Sequence, residues 1–355
     1  MRSHVSSKGL EPVTHFLFGA CLGRAGFNRK TALATATMCL AAEAPDLDIV
    51  SEFGRAGFGL GHHRGFTHSI LGSFLVAGAV VGFIYVIWRF RGRKTKYNLA
   101  PRWGLLYALA YLASLSHILL DFTNHYGVRP FWPFSERWYS WDIIFIYEPV
   151  LLILLLGALI LPSLFALINS EIGARPQGPK GRLAAIVALI CVCITWGVRD
   201  YEHRRAVSAL DARLYKDQDP KLIGAYPLPG NPFQWYGVVE TQNFFAQMMV
   251  DSWTPEVDPE NHMQIRFKPE ETEITLAAKE SYFGKIYLDW AKFPITETYK
   301  QESGDYLVRF KDLRYDYPGR GGRTPLTGGV ELDPNLKVVD AFMGVRSRKV
   351  TDPSP

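Results

Sequence analysis

The run 67–88, "THSILGSFLVAGAVVGFIYVIW", carries no formally charged residue along its whole length. About twenty such residues are what an α-helix needs to cross the hydrocarbon core of a bilayer. Three further stretches have comparable length and little charge: 103–122 ("WGLLYALAYLASLSHILLDF"), 143–169 and 182–198 ("RLAAIVALICVCITWGV"). Lipid offers the backbone no hydrogen bonds, so these runs dictate a polytopic α-helical membrane bundle. Two shorter apolar segments, 13–23 and 31–45, are expected to form a helical hairpin that enters the membrane or packs against the bundle. The bundle then holds about four to six membrane helices.

Past Arg199 no comparable run occurs, so a chain of 355 residues divides naturally into two parts. Residues 1–199 are expected as the membrane domain. Residues 200–232 read as an amphipathic helix ("DYEHRRAVSALDARLY") followed by a Pro/Gly-rich linker ("YPLPGNPFQW"). Residues 233–355 carry "QIRFK", "EITLAA", "KIYLDWA", "ITETYK", "YLVRFKDLRYDY" and "VELDPNLKVVDAFMG", separated by turn-formers such as "ESGD" and "YPGRGGRTP". They predict a smaller, mostly antiparallel β-domain outside the membrane.

The net charge of +5 is local, with six Lys/Arg between Arg89 and Arg102. Membrane topology explains that cluster: basic loops stay cytoplasmic. The loop 170–182, with Arg175, Lys180 and Arg182, and the turn "RAGFNRK" (24–30) fall on the same side. The opposite, extracytoplasmic side then carries His15, "PDLD" (45–48), 61–68, the end of the 103–122 helix, the loop 123–142 and the C-terminal domain. No nucleic-acid motif accompanies the basic residues, so nucleic acid is not an expected partner. Cys21, Cys39, Cys191 and Cys193 lie in apolar segments without a C-x-x-C pair and read as small core residues. No cleavable signal peptide is expected, because His15, Arg24, Arg29 and Lys30 interrupt the first apolar stretch.

Ionisable residues gather on that one face. In "HILLD", His117 and Asp121 stand i and i+4, on one side of a helix near its outer end. Such groups in a membrane helix point to function by default, although a simple His–Asp bond closing the helix is the plainer reading. In "APDLDI", Asp46 and Asp48 alternate after Pro45, suggesting that one points inward and the other supports it. "GHHRGFTHS" (61–69) supplies His63 and His68 around Gly65, which permits a turn, with Thr67 or Ser69 to cap the next helix; His62 reads as a bystander. Arg64 is suited to fork onto phosphate or carboxylate oxygens of an anion. His15 gains interest only from sharing the face. His203 and His262 stand singly in the second half and read as surface residues.

His15, Asp46, Asp48, His63, His68, His117 and Asp121 together form an imidazole/carboxylate set without thiolate. That set suits a divalent metal, zinc first, with manganese or non-haem iron as alternatives. Seven candidates exceed the ligand count of one tetrahedral ion, so two adjacent ions are possible. No G-x-S-x-G elbow offers a serine alternative.

The order His15, "PDLD", "HRGFTHS" and "HILLDFTNHYGVRPFWPFS" resembles the bacterial inner-membrane metal-dependent hydrolase family typified by YdjM, over about residues 12–165. The resemblance implies a multi-pass inner-membrane protein with a metal site and hydrolase activity, and it singles out the same seven residues. It also implies a role for Glu148 in "IYEP", where the family more usually has Asp before the proline. The β-domain lies outside it.

Two functions are consistent with the residues. One is a membrane-embedded hydrolase, in which His15, Asp46, His63, His68, His117 and Asp121 hold metal while Asp48, Arg64 and Glu148 serve catalysis. Its substrate would be an ester or phosphoester, lipid-linked or from the envelope, met among membrane lipids. The aromatic loop 126–141 would then form an interfacial rim. The other is a non-catalytic metal-binding module whose β-domain docks a partner. Transport fits poorly, because helix centres such as 150–161 are purely apolar.

Overall fold

The computed structural model describes residues 11–53, 56–91, 99–171, 181–317 and 325–344. Residues 92–98 of the basic loop 89–102, 172–180 of the loop 170–182 and 318–324 of the turn "YPGRGGRTP" lie outside the described residues. The described chain separates into two compact units, one of 11–48 and the described residues of 64–200, the other of the described residues of 49–63 and 201–344.

The first unit is helical. Four helices in it are long and apolar enough to cross a membrane: α4 (Ile70–Phe90), α5 (Trp103–Thr123), α6 (Pro149–Glu171) and α7 (Arg182–Asp211), whose last turns from Tyr201 belong to the second unit. Their outward faces are apolar, with Leu75, Phe83, Ile153, Phe165 and Ile194 all exposed, as lipid-facing positions are. Inward faces are built from small residues that let helices approach closely. Ala77, Ala110 and Ala113 of α4 and α5 meet Ala34, Met38, Ala41 and Ala42 of α2 (Ala34–Glu43). Leu17, Phe18 and Cys21 of α1 (Glu11–Arg24) meet Leu151 and Leu155 of α6 and Ala185, Ala188 and Val192 of α7.

α1 and α2 form the expected hairpin and pack on the bundle. At ~1.5 Å per residue the 14 residues of α1 extend to about 21 Å, short of the ~30 Å hydrocarbon core. Their crossing is close: a Cβ on Gly19 would lie 2.6 Å from the Met38 carbonyl oxygen.

Helix starts differ instructively from the apolar runs. α4 begins at Ile70 rather than 67, because 66–68 form a 3-10 turn and the Ser69 hydroxyl caps the helix by accepting from Gly72 N at 2.9 Å. A Cβ on Gly72 would sit 1.7 Å from the Phe66 carbonyl oxygen. Gly72→Ala is therefore expected to dislodge the 66–68 turn, lowering the thermal midpoint and, since His68 ends that turn, the metal content. α6 starts at Pro149, whose missing N–H costs nothing at a first helical position. Residues 143–148 before it are irregular, and Ile144 bridges to Asn124.

The second unit holds two antiparallel sheets. In the first, β1 (Leu222–Pro227), β2 (Gln234–Glu240), β3 (Phe244–Asp251) and β4 (Glu256–Val257) lie in that order, with β5 (Gln264–Phe267) also on β3. The second runs β6 (Pro294–Lys300), β7 (Tyr306–Asp312), β8 (Gly328–Leu332), β9 (Val338–Met343). Ala206 and Leu210 at the end of α7 pack into the first sheet's core with Trp235 and Phe244. The short helix α3 (Phe58–His62) packs on α9 (Tyr282–Trp290), also in this unit.

Several expectations are corrected here. "EITLAA" and "KIYLDWA" are helical, in α8 (Glu273–Glu280) and α9 (Tyr282–Trp290), not strands. Phe283, Tyr287 and Trp290 are buried at helical spacing, and Thr272 and Thr275 close a capping box ahead of α8. The stretch expected as linker, 226–235, begins on the last two residues of β1, Tyr226 and Pro227, and ends on Gln234 and Trp235, which open β2. β2 and β3 are buried almost continuously, so they lack the alternation that marks a one-sided strand. Of the four cysteines, Cys21 and Cys39 are core residues, whereas Cys193 is exposed and Cys191 half-buried, on the outward part of α7. His203 is half-buried with its ring 5.2 Å from that of Trp235, while His262 is exposed as expected.

Candidate metal centre

Helices of the first unit bring one end each, N-terminal or C-terminal, to a common place. α5 contributes its C-terminal His117 and Asp121, and α1 its N-terminal His15. The 3-10 segment after α2 (Ala44–Phe53) carries Asp46 and Asp48, and the turn before α4 carries His68. The basic turns lie at the other end, where Arg182 donates to the Ala25 carbonyl and Arg24 to that of Leu159.

One oxygen or nitrogen from each of Asp46, His68, His117 and Asp121 converges, all within 4.8 Å of one another. His68 Nε2 lies 3.0 Å from His117 Nε2, 3.3 Å from Asp46 Oδ1 and 3.4 Å from Asp121 Oδ2. His117 Nε2 lies 3.4 Å from Asp46 Oδ1 and 3.5 Å from Asp121 Oδ2. A tetrahedral zinc ion with bonds of about 2.0–2.1 Å needs ligand atoms about 3.3 Å apart. The measured separations match that spacing.

Proton placement argues the same way. His117 Nδ1 stands 2.6 Å from the Ala42 carbonyl oxygen, which can only accept, so Nδ1 carries the hydrogen. His68 Nδ1 faces Asp48 Oδ2 at 3.2 Å and is protonated for the same reason. With neutral rings, both Nε2 lone pairs then point at each other and at two carboxylate oxygens, and among the described residues Asp121 Oδ2 has no hydrogen-bond partner. Three carboxylates against the one guanidinium of Arg64 leave two negative charges, which a divalent cation cancels. The residues fit a metal ion.

The cluster draws positive charge strongly. Burial alone would depress the His68 imidazole, but Asp121, Asp46 and Asp48 around it push it up to about 9. Burial would raise Asp46, yet His117 and His68 hold its carboxyl well below the usual range. Glu43, which closes α2, is pushed up to about 7, mainly by burial and then by the charge of Asp46.

Residues around the four atoms hold them in place. Asp48 accepts from the Thr67 hydroxyl at 2.7 Å and from Arg64 N at 3.1 Å while backing His68. Such backing groups are worth about 10–100-fold in metal affinity. Asp48→Asn is expected to weaken metal binding by about that factor without unfolding the protein, as titration with a competing chelator would read. Arg64, 2% exposed and held at φ +57°, reaches Asp121 Oδ1 at 3.0 Å. It also donates to Asn124 Oδ1 at 3.2 Å and lies over the Tyr126 ring. A buried non-glycine residue in the left-handed region is costly and is found where a site demands it. His15 Nε2 faces Asp121 Oδ1 at 3.4 Å, its ring stacked 3.9 Å from that of His117.

Glu148 stands apart from the four atoms. It lines a small cavity with His15, Asp121 and Asn124, and Arg199 donates to its Oε2 at 2.8 Å. His63 is not among the four either: it falls in the 49–63 segment described with the second unit. In that segment the exposed His62 stacks on Phe58. Thr67, read from the sequence as a possible helix cap, instead donates to Asp48, and Asn124 and Arg199 carry no ligand spacing that a sequence shows. "FTH" and "FTN" nevertheless place the first two beside the histidines.

A family model described as YdjM inner membrane protein matches residues 10–204. An uncharacterized protein, YfhP of Bacillus subtilis (strain 168), is 24% identical over 347 residues, covering 93% of this chain and 94% of its own. No solved structure matches.

Proposed function

The chain belongs to the YdjM inner membrane protein family, a family of membrane-bound metal-dependent hydrolases, and from that premise we propose that it hydrolyses an ester or phosphoester with a metal held by Asp46, His68, His117 and Asp121. The observation that carries this reading is the four-residue cluster, in which each imidazole Nε2 lies 3.0–3.5 Å from the other and from the carboxylate oxygens, with both Nδ1 atoms turned away onto fixed acceptors. Zinc is the favoured ion on the donor set, with manganese and iron as alternatives.

Bound there with a further coordination position open to water, a divalent ion would supply Lewis acidity and bring water's ionisation toward neutral pH. Everything else belongs to the chain. Asp48 and the Ala42 carbonyl hold His68 and His117 by their rear nitrogens. Arg64 pins Asp121 Oδ1, so that Oδ2 turns to the cluster; its guanidinium works as a positioning group, with donors on protein oxygens. His15 adds a second contact to the same oxygen. Glu148, fixed by Arg199, faces the cavity beside Asp121 and is the group placed to meet a substrate. Basic turns at the other end of the bundle support an extracytoplasmic site, and with it a lipid-linked or envelope substrate and a C-terminal domain on that side.

The test is hydrolysis over a panel of phosphoester, lipid and carboxylic ester substrates by detergent-purified protein, before and after chelation and with metal returned. Turnover lost on chelation and restored by zinc or manganese is the expected result. Metal present with no turnover on any substrate would favour the metal-binding module instead.

A further inference from the structure

The loop between α5 and α6 presents a turn, 130–134, that the proposed chemistry does not use. Phe134 is 87% exposed and Phe131 49%, with Pro133 exposed between them and the charged Glu136 and Arg137 exposed just after. The turn is firmly built. Val128 and Tyr139 exchange two backbone hydrogen bonds of 2.9 Å at its base, and Arg129 lies over the Trp138 ring at 4.4 Å. Two phenylalanines are thus held outward on a rigid support.

Its neighbours identify what covers it. The Pro130 carbonyl accepts from Ile70 N at 2.9 Å, so the turn is tied to the first residue of α4. Ile70, Leu71 and Phe74, all exposed, begin the outward apolar face of that membrane helix. Lipid covers such a face in an inner-membrane protein, and Phe131 and Phe134 continue it by one hydrogen bond. Aromatic residues followed directly by charges are the pattern of a chain crossing from acyl to headgroup level. Trp132 stands edge-to-face on Phe66, 5.4 Å between centroids, and Phe66 opens the three-residue turn that ends in His68.

We propose that the 131–134 turn is an interfacial anchor, its phenylalanines sunk at the headgroup–acyl boundary of the bilayer, and that it fixes the His68 side of the metal cluster at headgroup depth. Resting on the proposed function, this narrows the substrate to a lipid whose scissile bond lies in the headgroup region. The anchor itself is independent of that activity.

The test uses full-length protein with its four cysteines replaced by Ala, in vesicles of phosphatidylethanolamine and phosphatidylglycerol. A nitroxide is placed at Phe134→Cys or Phe131→Cys, with Leu75→Cys as the lipid-facing control and Ser303→Cys as the aqueous one. The anchor requires labels at 131 and 134 to collide with oxygen more than with a water-soluble nickel chelate, at a depth shallower than Leu75. Nickel access equal to that at Ser303 at both positions overturns it. Metal content of the same samples separates the two ideas. Metal retained with both labels in water rejects the anchor alone, and no metal with both labels in lipid rejects the proposed function alone.

Discussion

His68→Ala and His117→Ala proteins are each expected to purify without stoichiometric metal and without hydrolase activity. Both imidazoles are completely buried, and their Nε2 atoms stand 3.0 Å apart at the centre of the cluster. Removing either takes away a ligand and leaves Asp46 and Asp121 facing each other with less to neutralise them. The loss of affinity should exceed the roughly 10–100-fold typical of a supporting residue, which is the range expected for Asp48→Asn. The contrast between these substitutions is the informative part, measured as metal-to-protein ratio after dialysis against a buffered metal concentration. Equal losses from all three would mean that Asp48 is a ligand and that the four atoms are misassigned.

Arg199→Met is expected to destabilise the protein by about 3–5 kcal/mol, the usual consequence of stranding one partner of a buried ion pair. Arg199 and Glu148 are 2% and 6% exposed, and their atoms approach to 2.8 Å. The double variant Glu148→Gln/Arg199→Met should regain much of that loss, because the stranded charge is gone. Thermal unfolding in detergent across the four members of the cycle reads both effects. If Glu148 meets substrate as proposed, the double variant will be stable yet impaired in turnover. A single Arg199→Met variant as stable as the parent would show that the pair is not what fixes Glu148.

The membrane half was legible because lipid imposes one rule on every residue of a span: length and lack of charge locate α4, α5 and α7 to within a few residues, apart from the polar tail of α7 after Val198. The helix start at Pro149 was hidden, since 143–148 are as apolar as the helix after them but pack as irregular chain. The C-terminal half was harder. Phe283, Tyr287 and Trp290 carry a helical period inside "YFGKIYLDW", but "KIYLDWA" alone imitates alternation. Trp235–Val239 is buried on both faces and so shows no alternation at all. At the candidate site, His117 and Asp121 were readable from spacing on one helix. Their meeting with His68 and Asp46 depends on the α1–α2 hairpin and on the turn capped by Ser69, which no local pattern announces.

The decisive measurement is X-ray absorption on wild-type protein purified without added chelator, at the edge of whichever metal elemental analysis finds. One divalent ion per chain is expected, ringed by four protein nitrogen and oxygen neighbours near 2.0–2.1 Å and a further oxygen from water, with outer scattering from two imidazoles and no sulfur. A metal-free protein that binds none on reconstitution, or a shell containing sulfur or lacking imidazole, would contradict it.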